Sequence, residues 1–333
     1  MTYGQSRVRV KALFLAGLMG LVSARATAQS PAPASSPAAQ SGRPADGDAG
    51  LATRTGHELH VSVGHYDYIE PGPDISIHGP KFGGEYTGAV SFGSRRQWFT
   101  RGELRGAAGH VTYDGWCAPY LIRPSSSSPN GYDLGIGDFS PCSESGDSDW
   151  YVEGRGLIGK DYIAGRWGLS PHTGLGVRHL SNGTTGVAGY RTDDYLYLPL
   201  GLTARTRVAS RSALSVVVES DLLLRGWQTT HQSKLGSGDI PATATAPAFT
   251  IDGFTDLSFA QHRGWALRTS AKYQITNRWS VEPAYIRWSV GDSEIDYTTA
   301  TFIVNGITAR QQMGAYEPEN VTHEWYVNLG FHF

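Results

Sequence analysis

A surplus of positive charge is absent from this chain. Its formal net charge is −2 over 333 residues, so the electrostatic footprint of a nucleic-acid binder is missing. Charged residues make up only 17%, below the quarter usual in soluble domains. After the first 24 residues no apolar run reaches the roughly 18 residues that a membrane helix needs. That absence leaves one kind of membrane protein open. A transmembrane β-strand carries its apolar residues at every second position, and averaged hydropathy then looks soluble. Methionine and cysteine are scarce, at 3 and 2, while 42 glycines, 17 tyrosines and 9 tryptophans are present. Glycine with aromatics points to a β-rich protein.

The first residues read as an export signal. Arg7, Arg9 and Lys11 precede the short apolar run from Ala12 to Ala24, and Ala26-Thr27-Ala28 is a small-residue cleavage site. Residues 1–28 are therefore expected to be a signal peptide. Residues 29–54 contain SPAPASSPAAQSGRPADGDAG, which has little to bury and reads as a flexible linker. Residues 55–333 form the expected folded domain.

That domain repeats one pattern. Roughly alternating runs cover 57–68, 80–93, 98–111, 149–160, 166–180, 193–206, 211–228, 261–274, 278–292 and 321–333. The gaps 94–97, 161–165, 207–210 and 275–277 are short. The gaps 69–79, 112–148, 181–192, 229–260 and 293–320 are long. Alternating short turns and long loops predict an all-β fold: a closed antiparallel transmembrane β-barrel of about ten strands, with both termini on the short-turn, periplasmic side. The faces agree. Leu196, Leu198, Leu200 and Leu202 share one side of a strand, as do Leu214, Val216, Val218, Leu222 and Leu224. Trp150, Trp167, Trp265, Trp279 and Trp325 stand near run ends, as in an interfacial aromatic girdle. Trp288 is out of phase with Trp279 and Val281, which suggests a bulge.

The last ten residues, EWYVNLGFHF, alternate Trp325, Val327, Leu329, Phe331 and Phe333 with polar or small neighbours. This segment resembles the closing strand of bacterial outer-membrane β-barrels. The resemblance covers about residues 57–333. It implies an outer-membrane location, outer-membrane lipid and lipopolysaccharide as surroundings, and Phe333 as the signal read by the barrel-assembly machinery. The ten-strand size resembles the omptin group in architecture alone, because the Asp-x-His pair of those proteases does not occur.

Inside such a barrel the expected charged set is Arg101, Glu103, Arg105, Glu153, Arg155, Arg166, Glu219, Asp221, Arg225, Arg268, Lys272, Glu282 and Glu324. Ten strands lie near the size that side chains fill. Mixed acids and bases can pair across strands, and buried charges need such partners. A plugged or very narrow lumen follows; a selective narrow pore is the alternative. Cys117 and Cys142 share the gap 112–148. In an oxidising compartment they suit a disulfide, with free thiols or a metal pair as the other options. In HELH, residues 57–60, the two histidines would point to opposite faces of a strand. No metal site and no cofactor is expected.

The sharpest local feature is RHLSNG, residues 178–183. His179 and Ser181 share the face that continues Trp167, Leu169, Leu175 and Val177. Asp193 and Asp194 open the next run. A Ser, a His and a carboxylate can form a hydrolytic triad. The H-x-S-N pattern is similar to that of the outer-membrane lipid A 3-O-deacylases, whose catalytic His and Ser face the outer leaflet. That resemblance implies His179 as base, Ser181 as nucleophile and Asn182 as oxyanion donor. It departs from the family in barrel size and in offering Asp193 or Asp194 where a Glu is usual. The plainer reading is a polar turn. The leading functional expectation is a non-enzymatic barrel acting in envelope structure or surface interaction through its outer loops. The lipid hydrolase and the narrow pore stand as alternatives.

Overall fold

The structure is a computed structural model and describes residues 51–93, 97–183, 190–209 and 212–333. The expected signal peptide and residues 29–50 of the expected linker lie outside the described residues. Ten long strands form the barrel: β1 (Gly56–Glu70), β2 (Ile75–Phe92), β3 (Trp98–Cys117), β4 (Ser140–Lys160), β5 (Trp167–Gly183), β6 (Tyr190–Ala209), β7 (Ser212–His231), β8 (Gly264–Gln274), β9 (Trp279–Val290) and β10 (Asn320–His332). Each pairs antiparallel with its chain neighbour, and β10 pairs with both β9 and β1, so the sheet closes on itself. The seam ends in reciprocal backbone hydrogen bonds between His57 and Phe333. A closed ring leaves no unpaired edge, which the interior of a bilayer requires of any strand.

The pleat sorts side chains as their alternation demands. Leu59, Val61, Val63, Val327 and Leu329 face outward and are exposed, while His60 and Tyr326 between them are buried inside. Trp325 on β10 and Phe333 just past its end are eight residues apart, about 27 Å along the strand and, at a tilt near 40°, about 20 Å of height. That height fits within the apolar band of an outer-membrane barrel, about 25 Å tall.

Several expectations need correction. The pairing of β9 with β10 runs unbroken from Trp279 to Val290, without a bulge. Trp288 simply faces the lumen, where it is 2% exposed. The bulge instead lies in β7, between Leu223 and Arg225. The strands also run further than expected at the outer end. Residues 71–74 alone join β1 to β2, since tight pairing from Glu70–Ile75 downward absorbs most of 69–79. At the base, Leu51 to Arg54 belong to the packed structure and not to a linker. Leu51 is buried, and Thr53 bonds through its N–H and hydroxyl to Asp161, at 2.9 and 3.0 Å.

The three longest connections fold into a cap over the outer end. The strands Gly238–Ile240, Phe249–Phe254, Asp296–Val304 and Ile307–Ala315 make a four-stranded antiparallel sheet. Its last hairpin turns on Asn305-Gly306, both at positive φ, 51° and 78°, the two-residue turn that suits the twist of a hairpin. The hairpin of Tyr120–Pro124 with Tyr132–Ile136 packs against the sheet. Phe249, Ile251, Phe302, Val304, Ile122 and Leu134 form a shared core. The Gln311 side chain bonds both the N–H and the C=O of Leu134 at 2.8 Å. Cys117 and Cys142 are disulfide-bonded where β3 and β4 leave the barrel.

Candidate functional site

The barrel offers two places where polar side chains gather: its lumen and its outer rim. The lumen is built from inward positions that alternate with the lipid-facing ones. Arg268 of β8 bonds Asp221 across the strand pair and reaches Glu153 at 2.7 Å. Glu153 also takes Arg105 at 2.9 Å and the Tyr197 hydroxyl at 2.6 Å. Arg155 joins Glu103 and Glu219, and His172 bonds Glu219 at 2.8 Å. Arg178 pairs with Glu324, Lys272 with Glu58, and Arg101 with Glu103 at 2.6 Å. Glu282 lies 3.9 Å from His60. Each arginine and lysine named here touches a carboxylate, the condition under which burial is tolerated.

Two expected lumen residues are not there. Arg166 precedes the first strand residue of β5, so it sits in the turn, exposed, with its guanidinium 5.8 Å from the Trp167 ring. Arg225 lies just past the β7 bulge. The extra residue reverses the alternation, and Arg225 faces outward over Trp227 at 5.0 Å.

Sequence reasoning also missed part of the lumen. Trp288, Tyr195, Tyr197, Tyr151 and Tyr326 form a buried aromatic layer among the ion pairs, with Arg178 over Tyr151 at 4.2 Å and Arg268 over Tyr197 at 5.7 Å. Lys81 and Asp149 are fully buried as a pair, with Lys81 over the Tyr66 ring at 3.4 Å. Nearer the cap, Arg191 bonds Glu70 and Glu317, each at 3.1 Å, and the Tyr68 hydroxyl bonds the same two carboxylates. Burial pushes the Glu317 carboxyl up; Arg191 opposes this and Glu70 adds to it. Below the layered core, a cavity of about 200 Å³ opens toward the short-turn end, lined by Arg54, Glu58, Glu85, Arg101 and Lys272.

The outer rim carries the H-x-S-N stretch. His179 and Asp194 are cross-strand partners, and Nδ1 of His179 lies 2.7 Å from Oδ1 of Asp194. A carboxylate only accepts, so Nδ1 donates, the tautomer that leaves Nε2 as the acceptor of a neutral imidazole. The Trp150 ring lies 5.3 Å from the imidazole. Ser181 follows two residues on, on the same face, opposite Trp150. Its hydroxyl donates to the Tyr190 hydroxyl at 2.7 Å and is buried. Asn182 and Asp193 do not join this group. Alternation turns both inward: Asn182 donates to Asp149 in the lumen, and Asp193 is buried beside Gln228. The rim thus assembles His179, Ser181 and Asp194 only. His57 and His60 point to opposite faces, His60 buried and His57 against Tyr86, and among the described residues no cluster of metal-ligating side chains occurs.

No family model matches this chain, and no curated protein does. Among solved structures it is similar to the outer membrane protease OmpT of Escherichia coli, at 10% identity over 84% of this chain and 97% of that one, with a TM-score of 0.44. It is also similar to the toluene transporter TodX of Pseudomonas putida, at 10% identity over 87% and 93% of the two chains, TM-score 0.32. A FadL homologue of Pseudomonas aeruginosa matches at 10% identity over 84% and 90%, TM-score 0.25. At such identities and scores none of these likenesses speaks to the activity of this chain.

Proposed function

We propose that this chain is an outer-membrane barrel that conducts no solute and works through its outer end, as a surface-interaction protein. The observation that carries this reading is the contrast between a filled lumen and a structured cap. Ion pairs and the Trp288–Tyr195–Tyr197 layer occupy the barrel cross-section, leaving no lined path for a solute. The cap has its own apolar core and presents Ile295, Tyr297 and Tyr316 to solvent. Outer loops that only closed the barrel would have no need of that core. The test uses Phe302→Asp, which places a charge at a fully buried cap position. Cells displaying the full chain or this variant are compared for settling and for adherence to mucin-coated surfaces. The variant keeps its heat-modifiable gel mobility and loses adherence. Equal adherence would remove the cap from the account.

A second reading is favoured by one observation, the 2.7 Å contact that orients His179 through Asp194 on the lipid-facing rim. In that reading the chain is an outer-leaflet ester hydrolase. Ser181 turns away from Tyr190, and its oxygen attacks an acyl-ester carbonyl while Nε2 of His179 takes the hydroxyl proton. The imidazolium, steadied by Asp194, returns the proton to the departing alcohol, and water then cleaves the acyl-serine. The lipid A mass spectrum of an expressing host distinguishes the two. Loss of one acyl chain, abolished by His179→Ala, supports the hydrolase; an unchanged spectrum sinks it.

A further inference from the structure

Three arginines stand on the outer rim with no counter-charge. Arg225 and Arg263 are exposed and Arg287 half-buried. Among the described residues, no carboxylate lies within ion-pair distance of any of them. Three acids on this side have other partners. Asp194 holds His179, Asp256 holds His231 and the Ser233 N–H, and Asp292 accepts from the Glu319 N–H.

Arg225 and Arg287 lie on β7 and β9, and Arg263 lies in the two-residue link that enters β8 between them. Arg225 lies on β7, just before Gly226, which pairs with Gln261 two residues ahead of Arg263. Arg287 of β9 is opposite Leu267 of β8. Two outward-facing, exposed tryptophans lie among them: Arg225 sits 5.0 Å from the Trp227 ring and Arg287 5.2 Å from the ring of Trp265, a girdle residue. Interfacial tryptophans mark the headgroup level of a bilayer. Guanidinium groups at that level meet headgroups, and their planar forks match phosphate oxygens. The β7 bulge is what brings Arg225 to this surface, since unbroken alternation would have put it in the lumen.

We infer that Arg225, Arg263 and Arg287, with Trp227 and Trp265, form a docking site for the phosphorylated headgroup of an outer-leaflet glycolipid. The inference rests on the outer-membrane placement proposed above and is independent of the hydrolase reading. It does bear on that reading, because Trp227 is directly opposite Asp194, which is directly opposite His179. A headgroup held on β7–β9 lies one strand from the His179–Asp194 pair.

The test titrates the folded, detergent-solubilised protein with bisphosphorylated lipid A and with the same lipid after enzymatic dephosphorylation. Bound adducts are counted by native mass spectrometry. The wild type binds the phosphorylated lipid at least about tenfold more tightly, as expected for several charge-assisted contacts. Replacing all three arginines with alanine removes that preference, and Arg225→Gln alone reduces it if the triple variant folds poorly. The pair Arg123→Ala and Arg310→Ala, exposed in the cap, leaves it intact. Equal binding of the two lipids by the wild type overturns the site. So does a preference that survives the triple substitution, or one lost equally in the cap variant. None of these outcomes depends on adherence, so the site and the surface-interaction reading fail separately.

Discussion

The same residue type does opposite things on the two sides of this barrel wall. Inside, Arg105, Arg155, Arg178 and Arg268 each touch one or more carboxylates; Arg178 and Arg268 are buried, and Arg105 and Arg155 border the cavity. Outside, Arg225 and Arg287 lie on tryptophan rings, and neither they nor Arg263 has a carboxylate partner among the described residues. An interior arginine is a structural element, because removing it strands several buried carboxylates. A rim arginine holds nothing in the fold and is available to something else. The difference is set by side-chain phase, and at Arg225 by a single extra residue.

Removing interior charge should have the largest effect. Arg268→Ala leaves Glu153, Glu219 and Asp221 short of a partner. Breaking a buried pair from one side costs about 3–5 kcal/mol, to be read from urea unfolding in lipid vesicles. A loss below about 1 kcal/mol would mean that the lumen is wet and the comparison overstated. Trp288→Ala comes next. It empties a position packed between Tyr195 and Tyr197, and such truncations cost about 3–5 kcal/mol where the site cannot collapse. The same unfolding experiment reads it, and tyrosines closing over the gap would bring it to the low end.

The rim triple substitution should be nearly silent in that assay. Surface changes away from special features stay within about 0.5 kcal/mol each, while preference for phosphorylated lipid falls. A large stability loss would erase the distinction between the two sets of arginines. The smallest effect concerns the junction between cap and barrel. Glu317 has a raised folded-state pKa. Its contribution to stability is therefore full below the ordinary carboxylate range and lost as pH rises through the raised value. Hydrogen-exchange protection in 291–319, corrected for the intrinsic pH dependence of exchange, should fall as pH rises above the ordinary carboxylate range, and Glu317→Gln should flatten that dependence. An unchanged slope in the variant would assign it to another group.

How much of this was legible depends on the range of the signal. The outward leucines of β6 and the closing strand were readable because alternation is local, and closure follows from ten such strands. Trp288 was misread because its break in phase was put down to a bulge, although its parity already pointed inward. Arg225 was misplaced because nothing in Leu222–Arg225 announces a bulge; the extra residue is defined only against the partner strand. The choice between Asp193 and Asp194 turned on register, where one residue exchanges the lumen for the rim. The cap was missed although its signal was present. Val304-Asn305-Gly306-Ile307 is a hairpin turn between apolar residues, hidden because 293–320 was read as one loop. The docking of three distant connections into one core is a long-range contact that no local pattern carries.

Single-channel recording in planar bilayers tests the central claim most directly. If paired charges and the aromatic layer fill the lumen, the folded wild-type protein inserts and stays silent across the applied voltage range. Discrete, reproducible conductance steps from the wild type, lost on boiling, would contradict the account and return the lumen to the centre of function.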